Sequence, residues 1–96
     1  MNPQAQRGWW VSDHAVRRFM DRVTGDRVPW HEVAAWVRAH AYEATPTGAR
    51  TIRDQPIYRL RHPWPGPDAA LIVSTDPDGT RAVVTCGWWE EAAAAE

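Results

Sequence analysis

At 96 residues and 10.9 kDa, with a net charge of −1, the chain has room for one domain and one core, since compact domains run from about 50 to 250 residues. Val, Ile and Leu number 14 in all against seven Trp, so the large core side chains are expected to be mostly indoles, and ten aromatics at near-zero charge exclude a disordered chain. No apolar run nears the roughly 20 residues of a membrane span, MNPQAQRG lacks a signal-peptide stretch, and the single Cys86 excludes an intramolecular disulfide or a Cys-based zinc cluster.

A cytoplasmic protein with a buried free thiol is the expectation. Gly8 to Val11 reads as a short strand. Ser12 then caps a helix from Asp13 to Val23, with Val16, Phe19, Met20 and Val23 at the i, i+3, i+4, i+7 spacing of a buried stripe and Thr24-Gly25 as its stop. Pro29 opens a second helix to about Glu43, whose apolar face holds Trp30, Val33, Ala34, Val37, Ala41 and Ala44, with Trp36 on the margin. Thr45-Pro46-Thr47-Gly48 ends it. Thr51-Ile52-Arg53 reads as a short strand and Ile57 to His62 as a better one, followed by the rigid turn Pro63-Trp64-Pro65-Gly66-Pro67. Ala69 to Thr75 and Thr80 to Trp88 are strands joined by Asp76-Pro77-Asp78-Gly79. The order β-α-α-β-β-β implies an α+β fold, with two N-terminal helices packed on one face of a mainly antiparallel sheet of three to four strands. Residues 1–89 form the single domain, and 90–96 an acidic, Ala-rich tail expected to be disordered.

Successive strand side chains alternate between faces, so Trp9-Trp10 and Trp88-Trp89 must each send one indole away from the helices. Strict alternation puts Leu71, Val73, Val84 and Trp88 in the core beside Tyr58 and Leu60. It leaves Ile57, Arg59, Arg61, Ile72, Ser74, Arg81, Val83, Thr85 and Trp89 on an open face. A face of arginines, aliphatics and indoles suits a contact surface. Trp64, stiffened by Pro63 and Pro65, is a candidate anchor for a partner, against the alternative of an indole folded onto the sheet edge.

Charge is unevenly spread. Residues 1–65 hold ten Arg and six acids (+4), whereas 66–96 hold Arg81 and six acids (−5). All eleven basic residues are Arg, the better group for bidentate phosphate or carboxylate recognition. His14, Arg18 and Arg22 recur at i, i+4 and i+8 and line one side of the first helix. Their mutual repulsion calls for carboxylate partners, or for an anionic ligand. His14, His31, His40 and His62 lack zinc-helix spacing, and neither a phosphate loop nor a nucleophile elbow is present, so no metal and no cofactor are expected.

The string His14-Ala15-Val16-Arg17-Arg18-Phe19-Met20-Asp21-Arg22-Val23 resembles the His-Ala-x-x-Arg-x-x-x-Arg opening helix of a bacterial and phage family of small proteins labelled a domain of unknown function, related in fold to the RelE-type toxins and their barnase-like relatives. The likeness runs over about residues 9–88 and includes the closing Val83-Val84-Thr85. It implies a RelE-like domain and metal-independent RNA cleavage on the open sheet face, with His14 or His62 as titratable groups and Arg59, Arg61 and Arg81 as phosphate donors. The acidic tail and a pI of about 6.4 oppose a polyanionic substrate. The leading expectation is therefore a non-enzymatic phage or mobile-element accessory protein that binds a host protein through Trp64, Trp89, Arg59, Arg61, Arg81 and Thr85. An RNA-cleaving toxin and a self-associating homodimer are the alternatives, and a membrane partner is not expected.

Overall fold

In a computed structural model, which describes residues 6–89, Trp9-Trp10-Val11 opens the fold as β1 (Trp9–Val11) and Ser12 turns the chain into α1 (Asp13–Phe19). The Ser12 hydroxyl accepts the Ala15 N–H at 3.0 Å and donates to the Val83 carbonyl at 3.3 Å, so one side chain caps the helix and ties its corner to another strand. The buried stripe continues to Val23 as expected, but the last turn widens into a π-helix over Met20–Thr24. It ends at Gly25, whose φ of 62° suits a residue without a Cβ. A 3₁₀ turn (Gly25–Arg27) leads to α2 (Trp30–His40), which tightens into a second 3₁₀ turn (Ala41–Glu43). The tail expected at 90–96 lies outside the described residues.

Four further strands follow: β2 (Thr45–Arg50), β3 (Pro56–Leu60), β4 (Ala69–Thr75) and β5 (Arg81–Trp88). Their order is β1-β5-β4-β3-β2, with every neighbouring pair antiparallel except β1 and β5, which run parallel. The class is α+β, but the sheet has five strands and the order is β-α-α-β-β-β-β. The additional strand is β2. Its Pro46 and Gly48 carry the signature of a loop, yet at the sheet margin a proline and a register shift between Pro46 and Arg50 are tolerated. Thr51-Ile52-Arg53 is the turn instead, closed by Asp54 N–H to the Thr51 carbonyl at 2.8 Å, with Ile52 98% exposed.

Both helices cover one face of the sheet. Val11, Leu60, Leu71, Val73, Val83 and Cys86 meet Val16, Phe19, Val33 and Val37 there in the main core. Burial pushes the Cys86 thiol pKa far above its ordinary value. Arg38 fastens α2 to the sheet through Nε and Nη2, which donate to the Val11 carbonyl at 3.3 and 3.1 Å, while Nη2 also reaches Asp13 at 2.7 Å.

Strict alternation fails at one point. The β4–β5 register shifts at Ile72/Val73, so Val83 opposes Val73, Thr85 opposes Ile72, and Val84 is the extra residue of a β-bulge. Val83 is therefore buried in the core and Val84 lies on the opposite face, the reverse of the sequence expectation. The indole doublets split as required. Trp9 is buried beneath the helices and Trp89 packs on the far face, while Trp88 lies on the helix side yet is 42% exposed.

Candidate functional site

The alternation of β3 sends Tyr58 and Leu60 toward the helices and Ile57 and Arg59 to the other face. On that face Ile57, Ala70 and Ile72 form a buried apolar strip, flanked by Ala49, Val84 and Trp89. Among the described residues no helix or strand packs over it.

Where β3 runs out, this face opens into a groove of about 430 Å³ lined by Glu43, Thr45, Arg59, Leu60, Arg61 and Asp68. Thr45 and Arg59 are cross-strand partners, so their side chains leave the sheet together. The Arg59 Nε donates to the Asp68 carboxylate at 2.7 Å, and its guanidinium lies 5.9 Å from the Trp89 ring centre. The Trp89 backbone N–H donates to the Asp68 carbonyl at 2.9 Å, so one residue holds both the Arg59 side chain and the Trp89 backbone. On the opposite wall the Glu43 carboxylate meets His40 Nδ1 at 2.9 Å, and the His40 ring stacks on Trp36 with centroids 4.6 Å apart. Arg61 has no ion-pair or hydrogen-bond partner for its side chain among the described residues.

Of the residues singled out from sequence, Arg59 and Arg61 come together in the groove, and Trp89 and Thr85 lie on the same face. Arg81 does not join them. It is in register with Trp9 and its guanidinium sits 5.7 Å from that buried ring, on the helix side of the sheet. His62 is engaged at both nitrogens. Nδ1 accepts the Trp64 N–H at 3.2 Å, which leaves Nε2 as the donor to the Pro67 carbonyl at 2.7 Å. This imidazole clasps the proline-rich turn and presents no nitrogen to a ligand.

Trp64 is not held out at the tip of that turn. Its indole folds onto the helices, edge-on to Trp36 at 5.0 Å and to Phe19 at 5.9 Å. His14, Arg18 and Arg22 are exposed on the helix layer, away from the groove. Sequence reasoning passed over Glu43, His40, Thr45 and Asp68. The His40-x-x-Glu43 pair at i, i+3 was the one local signal, whereas Thr45 and Asp68 reach the groove only through strand pairing.

Among the described residues no group of three His, Cys, Asp or Glu side chains converges on a metal position, and no helix is long and apolar enough to cross a membrane. Comparison of the chain with protein-family models, with curated proteins and with solved structures gives no match.

Proposed function

We propose that the protein acts by binding a partner protein through the open sheet face, with Val84 and Trp89 over the apolar strip as its centre and the groove at the end of β3 as its polar rim. The observation that carries this reading is the charge balance of the groove. Asp68 offsets Arg59 at 2.7 Å, and Glu43 adds a second carboxylate, leaving Arg61 as the unpaired cation among the described lining residues. A polyphosphate gains most from uncompensated cations. A polypeptide, with charges of both signs and apolar side chains, matches the half-buried Val84 and Trp89 that pack on this strip, rimmed by paired charges.

The test is a pull-down from host lysate with and without nuclease, followed by reconstitution with the purified partner. Recovery is expected to survive nuclease and to fall at least tenfold with Arg61→Glu and with Trp89→Ala, circular dichroism staying native. Loss of the partner on nuclease treatment, or recovery unchanged in both variants, refutes the proposal.

One observation favours a second reading, metal-independent RNA cleavage. Glu43, hydrogen-bonded to His40, lines the same groove as Arg59 and Arg61. A carboxylate to take the 2′-hydroxyl proton and guanidiniums to stabilise the phosphorane are the parts such a reaction needs. On that reading Glu43→Gln abolishes both RNA cleavage in chelator and growth arrest on expression. Wild-type protein that leaves RNA intact eliminates it.

A further inference from the structure

The groove at the end of β3 keeps hydrogen-bond donors to spare. Arg59 engages Asp68 through Nε alone, and among the described residues neither of its Nη groups has an acceptor. Arg61, in the same groove, has no acceptor there for any of its side-chain N–H groups. The Thr45 hydroxyl, carried by the residue directly opposite Arg59 on β2, is likewise without a partner among the described residues. All three residues are exposed, so these donors face solvent. The two acidic residues of the groove are held by protein. Asp68 is bound by Arg59 at 2.7 Å, and Glu43 by His40 at 2.9 Å, on a ring stacked against Trp36.

A guanidinium presents coplanar N–H groups that match the two oxygens of a carboxylate. The lining carries two arginines against two carboxylates, with Arg59 already offset by Asp68. One incoming negative charge can therefore pair with Arg61, whereas a second finds no unpaired cation and is repelled by Glu43. A volume of about 430 Å³ falls within the range of small-ligand sites and admits one side chain or a chain terminus. Arg59 also joins the groove to the aromatic part of the face. Its guanidinium lies 5.9 Å from the ring centre of Trp89, which is only half-buried and leaves ring surface for an apolar neighbour.

We infer that this groove is a carboxylate-binding subsite, in which Arg61, the free Nη groups of Arg59 and the Thr45 hydroxyl take one carboxylate of an acidic peptide whose adjacent apolar residue lies against Trp89. With the open face taken as the protein-docking surface proposed above, on which this subsite rests, the carboxylate is the group that the partner brings to it. The recognition is the same for an Asp or Glu side chain and for a chain's C-terminus. A nucleic-acid strand brings one negative charge per nucleotide, and the phosphates beside the first find no further unpaired cation in the groove.

NMR titration of the isotope-labelled full chain, read at the arginine Nε–Hε groups and the backbone amides, tests this with defined probes. These are acetyl-Trp-Glu-amide, acetyl-Trp-Ala with a free C-terminus, and acetyl-Trp-Gln-amide, which has no carboxylate. At least one of the two carboxylate peptides is expected to shift the signals of Thr45, Arg59 and Arg61, with a Kd on the order of 1–10 mM. The one that binds more tightly distinguishes a side chain from a C-terminus. Acetyl-Trp-Gln-amide should bind at least about tenfold more weakly, the factor set by the lower end of charged hydrogen-bond strengths. Arg61→Gln should lose a similar factor, and Arg18→Gln, on α1, should lose nothing. Thymidylyl-thymidine, with one phosphodiester between two bases, should bind at least about threefold more weakly than the better peptide, given the competing Glu43. Carboxylate peptides that bind no tighter than the amide overturn the inference, as do shifts confined to residues outside the groove. So do unchanged affinity in Arg61→Gln with a native amide spectrum, and a dinucleotide bound as tightly as the better peptide. The titration needs no partner protein, so it is independent of the pull-down. Carboxylate peptides seated in the groove, with a partner still retained by Arg61→Glu and Trp89→Ala, would refute docking on the open face and support the subsite.

Discussion

Trp64 is where the structure departs most usefully from what its flanking prolines imply, and replacing it is the sharpest test of the packing described above. A Trp side chain offers 150–250 Å², so a half-buried one removes on the order of 100 Å² from water, about 2.5 kcal/mol at 25 cal/mol per Å². The edge-on contacts with Trp36 at 5.0 Å and Phe19 at 5.9 Å each add about 0.5–1.5 kcal/mol. Some of this returns as neighbouring rings relax into the gap, so Trp64→Ala is expected to cost about 2–4 kcal/mol. In a domain of this size that corresponds to a fall of roughly 10–25 °C in Tm. Urea unfolding followed by far-UV circular dichroism measures it without relying on the fluorescence of the deleted indole. A cycle with Trp36→Ala should give a coupling of about 0.5–1.5 kcal/mol. A Trp64→Ala midpoint within about 0.5 kcal/mol of wild type, the norm for surface substitutions, would mean that the indole projects into solvent and that the aromatic cluster is wrongly drawn. The result also bears on function. If the cost is as large as calculated, lost partner binding in Trp64→Ala reports damaged packing, and Arg61 and Trp89 are the better probes of the open face.

Three further expectations follow from particular contacts. Val83→Asn, which puts an amide among buried aliphatics, should cost about 3 kcal/mol or more, whereas Val84→Asn on the half-exposed face should cost about 1 kcal/mol; urea midpoints ranked the other way would remove the β-bulge. Burial raises the Cys86 thiol pKa, so its reaction with a disulfide reagent at neutral pH should be at least about 100-fold slower in the native chain than in urea, and equal rates contradict its placement. The Asp78 carboxyl is held below its ordinary 3.8, chiefly by the Thr80 backbone N–H and then by the Thr80 hydroxyl. A depressed folded-state value stabilises the hairpin turn above the ordinary Asp range, and that contribution is lost as pH falls through the folded value. The Thr80 amide proton shift should therefore titrate with a midpoint below 3.8; a midpoint at or above it refutes the hydrogen bond.

What was legible in the sequence is what local rules determine. Ser12 as a cap, the Val16–Val23 stripe and the Asp-Pro-Asp-Gly hairpin all depend on residues within one or two turns of each other, and all appear where expected. The misses share a cause in contacts made across the chain. Pro46 and Gly48 argue for a loop until a partner strand is present, and β3 supplies it. The shift at Val84 moves one valine in and one out, and nothing local announces it, because Val83, Val84 and Thr85 are equally good strand formers. In the groove, the arginines were visible from β3 parity alone, but Asp68, the carboxylate that pairs with Arg59, lies nine residues away across a turn. Trp64 stayed open between a protruding anchor and an indole folded down, because its prolines fix the backbone and say nothing about a nearby apolar surface. Trp36 and Phe19 provide that surface.

The same locality limits what net charge can say about partners. A charge of −1 and an acidic C-terminal third argue against any polyanion when the molecule is treated as a point. Exposed charges lose sight of one another beyond a Debye length of about 8–10 Å at ordinary salt. The folded domain extends over 36 × 33 × 19 Å, so its surfaces are electrically separate sites. Within the groove a carboxylate stands 2.7 Å from Arg59 and cancels it in place. On α1 the corresponding carboxylate, Asp13, is spent on Arg38, and Arg18 has no substitute among the described residues. Two arginine clusters of similar size in sequence thereby become different surfaces, one offset in place by Asp68 and one in which Arg17 and Arg18 stay exposed. Raising salt tests the proposed docking surface without any mutation. Binding of a partner protein over the open face, where the Arg59 charge is already paired, should change little with salt. A partner lost steeply and log-linearly with salt would show that the open face is not the docking surface.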